Sequence, residues 1–321
     1  MMEPLILDAV LQDKMWGGTR LHEQFDFELP SDHTGEAWVA SGHDHGLTVV
    51  NNGRFKGQNL AQLWQSQPTL FENDDVNRSF PLLVKILDAQ QNLSVQVHPD
   101  DEYAAIHAHE LGKTEAWYVL NAEPNAHIFF GHNAQTPEEF AALVDAGRWD
   151  ELLRTIDVKA GDVFYVPAGT LHALGAGVMV LEVQESSDTT YRVYDFDRRD
   201  AKTGELRELH REDAQAVMTI PFVAEHPDIE TKTSENIDVT NLVEAEAFNI
   251  VKWHVHGNAE MLKAAPYTIV TVIQGEGQLV VDGQTYDLKR GITFILPSDV
   301  SNWRFTGDVT MIASTPGKAS I

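Results

Sequence analysis

Apolar and polar residues alternate in short runs along most of this chain, and the runs are bounded by Gly, Pro, Asn and Asp. "GEAWVAS" (35–41), "LTVVNNG" (47–53), "PLLVKILDA" (81–89), "EAWYVLNAEP" (115–124), "AHIFFG" (126–131), "DVFYVPAG" (162–169) and "VMVLEVQE" (178–185) are rich in β-branched and aromatic residues. Many short strands between turn signals predict a sandwich or barrel rather than a parallel α/β sheet. Two stretches carry helical signals instead. "NLAQLWQSQPTLF" (59–71) is interrupted by Pro68, and "TPEEFAALVDAGRWDELLRTI" (136–156) opens with Thr136 as N-cap, Pro137 as first helical residue and acids in the first turn. Residues 212–218 predict a short third helix.

The texture changes at 224–240, which is polar, acidic and poor in large apolar residues, as a linker or boundary would be. Beyond it, residues 267–305 alternate apolar and polar positions between Gly-centred turns, predicting a second, smaller β unit. The expected division is 1–235 and 236–321.

Composition narrows the function classes. The 321 residues contain no cysteine, which removes disulfides and thiolate metal sites, and 43% hydrophobic content suffices for a buried core. Asp and Glu number 49 against 23 Lys and Arg, a formal net charge of −26. Such a surface repels nucleic acid and anionic lipid. A small phosphorylated ligand is still compatible, provided a local basic pocket opposes the global charge. No apolar run reaches bilayer length, and "MMEPLILDAVLQDKMWGG" lacks the basic and cleavage regions of a signal peptide. The expectation is a soluble cytoplasmic protein, monomer or homodimer, without nucleic-acid or membrane partners.

The richest stretch chemically is "GDVFYVPAGTLHAL" (161–174). A Gly-Asp turn leads into a strand that Pro167 ends, Gly169 lets the backbone turn, and His172 opens the next strand. This hairpin is similar to the second motif of the cupin barrels. Gly291, "ITFIL" and Pro297 repeat its outline, with Asn302 or Trp303 where the His would stand. The expected fold is therefore mainly β, two cupin-like jelly-roll barrels with a small helical insertion, one equipped with ligands and one bare. Partners for His172 are available. In "LSVQVHPDD" (93–101) Gln96 and His98 share a strand face, and "GKTEAWYVL" starts a strand with Glu115. Together Gln96, His98, Glu115 and His172 supply two imidazoles, a carboxylate and an amide oxygen, a set suited to Zn(II), Fe(II), Mn(II) or Co(II).

Other candidates lack partners. His43 and His45 lie in a Gly-flanked turn, and His107 and His109 fall on different faces of a short helix. "WGGTRL" (16–21) resembles the glycine-rich start of sugar nucleotidyltransferases, but the flanking glycine run and Pro-Leu-Thr are absent.

The longer stretches "FPLLVKILDAQQNLSVQVHPDD", "GKTEAWYVL", "VPAGTLHALGAGVMVLEVQESSDTTYRVYDFDR" and "RELHREDA" resemble type I mannose-6-phosphate isomerases of the short bacterial form, over essentially the whole chain. The resemblance implies one Zn(II) per chain held by Gln96, His98, Glu115 and His172. It implies a phosphosugar pocket lined by Lys85, Ser94, Lys113 and Arg192, with Arg192, Lys113 and Glu182 as the catalytic candidates. The expected reaction interconverts mannose-6-phosphate and fructose-6-phosphate through a cis-enediol. Two other classes compete. A non-catalytic phosphosugar-binding protein would have lost a ligand or Arg192, and a cupin oxygenase would favour His-x-His where this chain has Gln96.

Overall fold

The computed structural model describes residues 2–200 and 203–320. Three antiparallel sheets are stacked in layers. The central sheet has six strands in the order Val163–Val166, Glu115–Ala122, Val178–Glu185, Leu82–Asp88, Thr34–Ser41, Val10–Gly18. A five-stranded sheet, Tyr191–Tyr194, Val95–Val97, His172–Leu174, His127–His132 and Leu153–Asp157, covers one face. A nine-stranded sheet built mainly from residues 230–316 covers the other. These are open, facing sheets of the cupin type, not closed barrels. Among the described residues no helix is long and apolar enough to cross a membrane.

Burial of the central sheet on both faces explains its near-continuous apolar runs. All seven residues of Leu82–Asp88 and all eight of Thr34–Ser41 are buried. Alternation along the strand decides which layer each side chain joins. Val84 and Ile86 pack toward the nine-stranded sheet with Ile269, Ile295 and Ile312. Leu87 packs the other way with Ile128, Phe130 and Leu174, and Lys85 shares its face.

The nine-stranded sheet takes two strands from the start of the chain. Leu5–Asp8 pairs with Thr293–Leu296, and Val49–Val50 extends the edge. The repeated motif is visible in the backbone. Gly161 and Gly291 both adopt φ 92° immediately before their strands, a conformation that only glycine takes without strain. Where the first unit carries His172, the second buries Trp303 beside Trp253.

Three stretches differ from the sequence expectation. Residues 136–156 do not form one helix. Thr136 caps Pro137–Asp145 through the Glu139 amide, Gly147 at φ 64° ends it, and a short turn of helix, Trp149–Leu152, leads into the strand Leu153–Asp157, which pairs with His127–His132. An unpaired sheet edge thus outcompetes helical periodicity. In 59–71 the helix Leu60–Ser66, closed by an Asn59–Gln62 capping box, stops before Pro68, which opens a 3₁₀ turn. Residues 224–240 include a strand, Glu230–Thr233, whose side chains are all exposed at the sheet edge. Its polarity is that of an edge strand rather than of a linker.

"WGGTRL" turns out to be packing. A Cβ on Gly17 would lie 2.4 Å from the Gly35 nitrogen and from the His33 carbonyl, so the pair lets two strands meet closely. Arg20 then donates from Nε to Asp88 at 2.6 Å and from its other nitrogens to the carbonyls of Ala89, Gly177 and Val178. This clip pins the first helix, Arg20–Phe25, to the central sheet. Breaking a buried pair leaves a charge without compensation. Asp88→Ala is therefore expected to lower stability by about 3–5 kcal/mol. Glu123→Ala removes only the half-exposed 3.5 Å contact to Arg20 and should cost less than about 1 kcal/mol. Urea midpoints of the two variants check this contrast.

Candidate active site and metal centre

Strand register assembles the site. Across the central sheet Trp38, Lys85, Glu182 and Trp117 are successive cross-strand partners, so their side chains form one row on the face toward the five-stranded sheet. Glu36 and Glu115 stand two residues along from Trp38 and Trp117, on the same face. Across the facing sheet Arg192, Gln96 and His172 are likewise successive partners. The two rows enclose a cavity of about 220 Å³ whose wall includes Lys85, Ser94, Gln96, Lys113, Glu115, His172, Glu182 and Arg192. His98, just past the strand Val95–Val97, is buried beside it and approaches Glu115. All of the residues singled out from sequence thus meet in one place.

His98, Glu115 and His172 bring one donor atom each within 4.8 Å of one another, all three residues buried. The proton positions follow from the partners. His98 Nδ1 lies 3.0 Å from the Thr189 carbonyl and His172 Nδ1 lies 2.9 Å from the Thr170 carbonyl. A carbonyl oxygen only accepts, so each Nδ1 carries the proton and each Nε2 turns a lone pair inward. Burial, with the Lys113 charge nearby, holds both imidazoles neutral: His172 is lowered to about 4 and His98 falls well below the usual range. His172 Nε2 therefore faces Glu115 Oε1 at 3.2 Å with acceptors on both sides, and neither atom has a hydrogen-bond partner among the described residues. Two buried lone pairs so placed repel unless a cation joins them. The tetrahedral edge of an ion with bonds of about 2.0–2.1 Å is about 3.3–3.4 Å. The 3.2 Å separation of His172 Nε2 and Glu115 Oε1 matches it, while His98 Nε2 lies 3.5 Å from the other carboxylate oxygen, with Lys113 Nζ within 2.9 Å of both atoms. The residues fit a metal ion.

The comparisons with known proteins show the family. Residues 5–130 match the family model "Phosphomannose isomerase type I, catalytic domain", and residues 238–316 match "Mannose-6-phosphate isomerase, cupin domain". The mannose-6-phosphate isomerase of Streptococcus mutans is 47% identical over 314 residues, 98% of each chain. The mannose-6-phosphate isomerase ManA of Bacillus subtilis is 44% identical over 313 residues, covering 97% of this chain and 98% of that one. The crystal structure of the Bacillus subtilis mannose 6-phosphate isomerase superposes with a TM-score of 0.94 at 42% identity, over 98% of this chain and 99% of that one. The chain belongs to the type I mannose-6-phosphate isomerase family.

Several cavity residues of this family member were not singled out as site residues in the sequence. Lys14 reaches Glu36 at 3.4 Å, Trp38 Nε1 donates to Glu36 at 2.7 Å, and Lys85 lies 4.9 Å above the Trp38 ring. Asp188 and Arg207 also line the wall. Lys14 and Arg207, the latter opening "RELHREDA", are far apart in sequence, and the fold brings them to one wall. His43 and His45, read as a loop, sit on the rim and contact Glu110 and Asp188.

Electrostatically the cavity inverts the chain. Five lining residues are Lys or Arg and four are Asp or Glu, against 23 and 49 overall. Burial pushes the Glu36 carboxyl up, but Lys14, Lys85 and the Trp38 hydrogen bond outweigh it and hold the group below its usual range. Burial alone would lower Lys85, yet Glu36, Glu182 and Asp188 raise it. Glu182 goes the other way: burial and the nearby Glu115 raise it despite Lys85.

The depressed imidazoles give a pH prediction for the metal-free protein. Between about pH 6.5 and 4 the unfolded chain binds a proton at His172 that the folded chain refuses. Stability is complete above the unfolded value and falls with decreasing pH across that window, by roughly 3 kcal/mol for His172. Urea midpoints of chelated protein at pH 7 and pH 4.5 measure it, and His172→Gln should flatten the dependence.

Proposed function

We propose that the chain is an aldose–ketose isomerase that interconverts mannose-6-phosphate and fructose-6-phosphate at a Zn(II) centre, one ion per chain. The observation that carries the reading is the pair of inward acceptors, His172 Nε2 and Glu115 Oε1, 3.2 Å apart and without other partners among the described residues, between which a metal ion would sit. His98, Glu115 and His172 would hold the ion. Gln96, the cross-strand neighbour of His172, would complete the set with its amide oxygen. Zn(II) suits this mixture of imidazole and carboxylate and keeps a position open in catalytic sites.

The reaction moves a proton from C2 of the open-chain aldose to C1, and the O2 proton to O1, through a cis-enediol. When bound, the ion supplies positive charge where the enediolate oxygens develop. The protein's own residues divide the rest of the work. Glu182, kept basic by burial and fixed by Trp117 Nε1 at 2.9 Å, accepts the carbon-bound proton and returns it. A general base works best with its pKa raised toward the operating pH. Lys113 donates to Glu115 Oε2 at 2.6 Å, which places its charge beside the developing oxyanion. Arg192 is fixed by the Glu208 carbonyl at 2.8 Å and lines the cavity, where it stabilises the same charge. Lys85, Ser94, Lys113 and Arg192 receive the phosphosugar, and the excess of cations in the wall answers the demand that an anionic substrate places on an acidic protein.

A coupled assay for fructose-6-phosphate formed from mannose-6-phosphate tests the reading. Activity should vanish on chelation and return with zinc, and no activity in folded, zinc-loaded protein would remove the proposal. His172→Ala should lose metal and turnover together. Arg192→Ala should keep stoichiometric metal and lower kcat/KM by about 10²–10³-fold. Wild-type kinetics in that variant would take Arg192 out of the mechanism.

A further inference from the structure

Glu110 lies outside the cavity wall, in the segment between the helix Asp101–His107 and the strand that carries Glu115. Its carboxylate is used with unusual economy. One oxygen, Oε2, accepts three hydrogen bonds from consecutive residues: Ser187 Oγ at 2.9 Å, the Asp188 amide at 3.0 Å and Thr189 Oγ1 at 2.7 Å. The other, Oε1, lies 3.3 Å from His43 Nε2 on the opposite rim turn. The turn so gathered is the one whose Thr189 carbonyl receives the Nδ1 proton of His98 at 3.0 Å. The Thr189 amide makes only a long bond within the turn, 3.3 Å to Ser187 Oγ. Gln184 braces the turn as well, but at the carbonyls of Glu185 and Ser187, before Thr189 is reached.

We propose that Glu110 is a positioning residue for the metal centre: through Ser187 and Thr189 it sets the carbonyl that fixes the tautomer and ring orientation of His98. The proposal rests on His98 being a ligand. Groups behind a metal-bound imidazole commonly govern affinity by ten- to a hundredfold, and here that group is a backbone carbonyl with no regular strand to hold it. The carboxylate substitutes for the missing ladder. Because Glu110 belongs to the segment between Pro99 and Glu115 and also meets His43, that segment and the His43 turn are tied to the same ligand. His43 then has a mechanical role, where the sequence offered only loop.

Titration of the chelated full-length protein with Co(II), followed by the visible absorption of the bound ion, tests this without an activity readout. Glu110→Ala is expected to weaken Co(II) binding by about ten- to a hundredfold and to alter the visible band, because the imidazole is no longer held in one orientation. A purely structural Glu110 would lower the melting temperature and leave both affinity and band unchanged, and that result overturns the proposal. Should Glu110→Ala fail to fold, Thr189→Val deletes the shortest of the three contacts while keeping the carbonyl. A severalfold weakening in that variant supports the proposal, and parent-like affinity overturns it. His98→Ala separates the two levels of the argument. Loss of binding there with parent-like binding in Glu110→Ala overturns the bracing alone, while parent-like binding in His98→Ala overturns the ligand assignment and the bracing with it.

Discussion

The structure depends on a sheet that is buried on both faces and yet must carry charge on one of them. Lys85 and Glu182 are adjacent in register, each with about 5% of its side chain exposed. Desolvating such groups costs several kcal/mol per ion, and apolar residues of similar volume commonly do better for stability alone. The row therefore exists only because each charge is answered. Lys85 sits between Glu36 and Glu182 and over Trp38, while Trp117 and Trp38 donate indole N–H groups to the two carboxylates. Aromatic residues supply both the apolar wall and the directional donor. A site paid for in this way has a reason other than folding.

The candidate metal site follows the same logic from the opposite side of the cavity. The five-stranded sheet supplies His172 and Gln96 in register, and the central sheet supplies Glu115. Neither sheet could hold an ion alone. Backbone carbonyls of two turns, at Thr170 and Thr189, then fix the proton on each imidazole. Short strands that break off at Pro99 and after Pro167 are what put those turns beside the ligands. The strand that stops early and the ligand that needs an outer partner are one device.

Much of this was legible in the sequence. The short strands, the Thr136 cap and the grouping of His98, Glu115 and His172 could be read because local chemistry and periodicity agree there. Val163–Val166 and His172–Leu174, expected to pair as a hairpin, instead lie in different sheets because each finds longer partners there. The resemblance to the isomerase family also rested on stretches that turned out to form the cavity. What escaped was set by tertiary pairing. Residues 153–157 carry a helix-compatible pattern but complete the edge of a sheet. Residues 230–233 look like a linker because an exposed edge strand has the same polarity. Lys14, Glu36 and Arg207 lie in legible stretches, but nothing local marks them as site residues; they belong to the site because three distant segments converge on it.

The ligand-free C-terminal unit is explained by the same constraint. With one face of the central sheet given to the cavity, the other, lined by Val84, Ile86, Leu181 and Val183, must be covered by something apolar and broad. The nine-stranded sheet does this with Ile250, Ile269, Ile295 and Ile312, and it is locked on by the N-terminal strand Leu5–Asp8, which runs beside Thr293–Leu296. A unit with that task gains nothing from a polar interior. It keeps the Gly291 turn, which shapes the strand, and places Trp303 in an apolar core where its counterpart carries His172. Retaining the backbone outline while losing the donors is what packing alone would select.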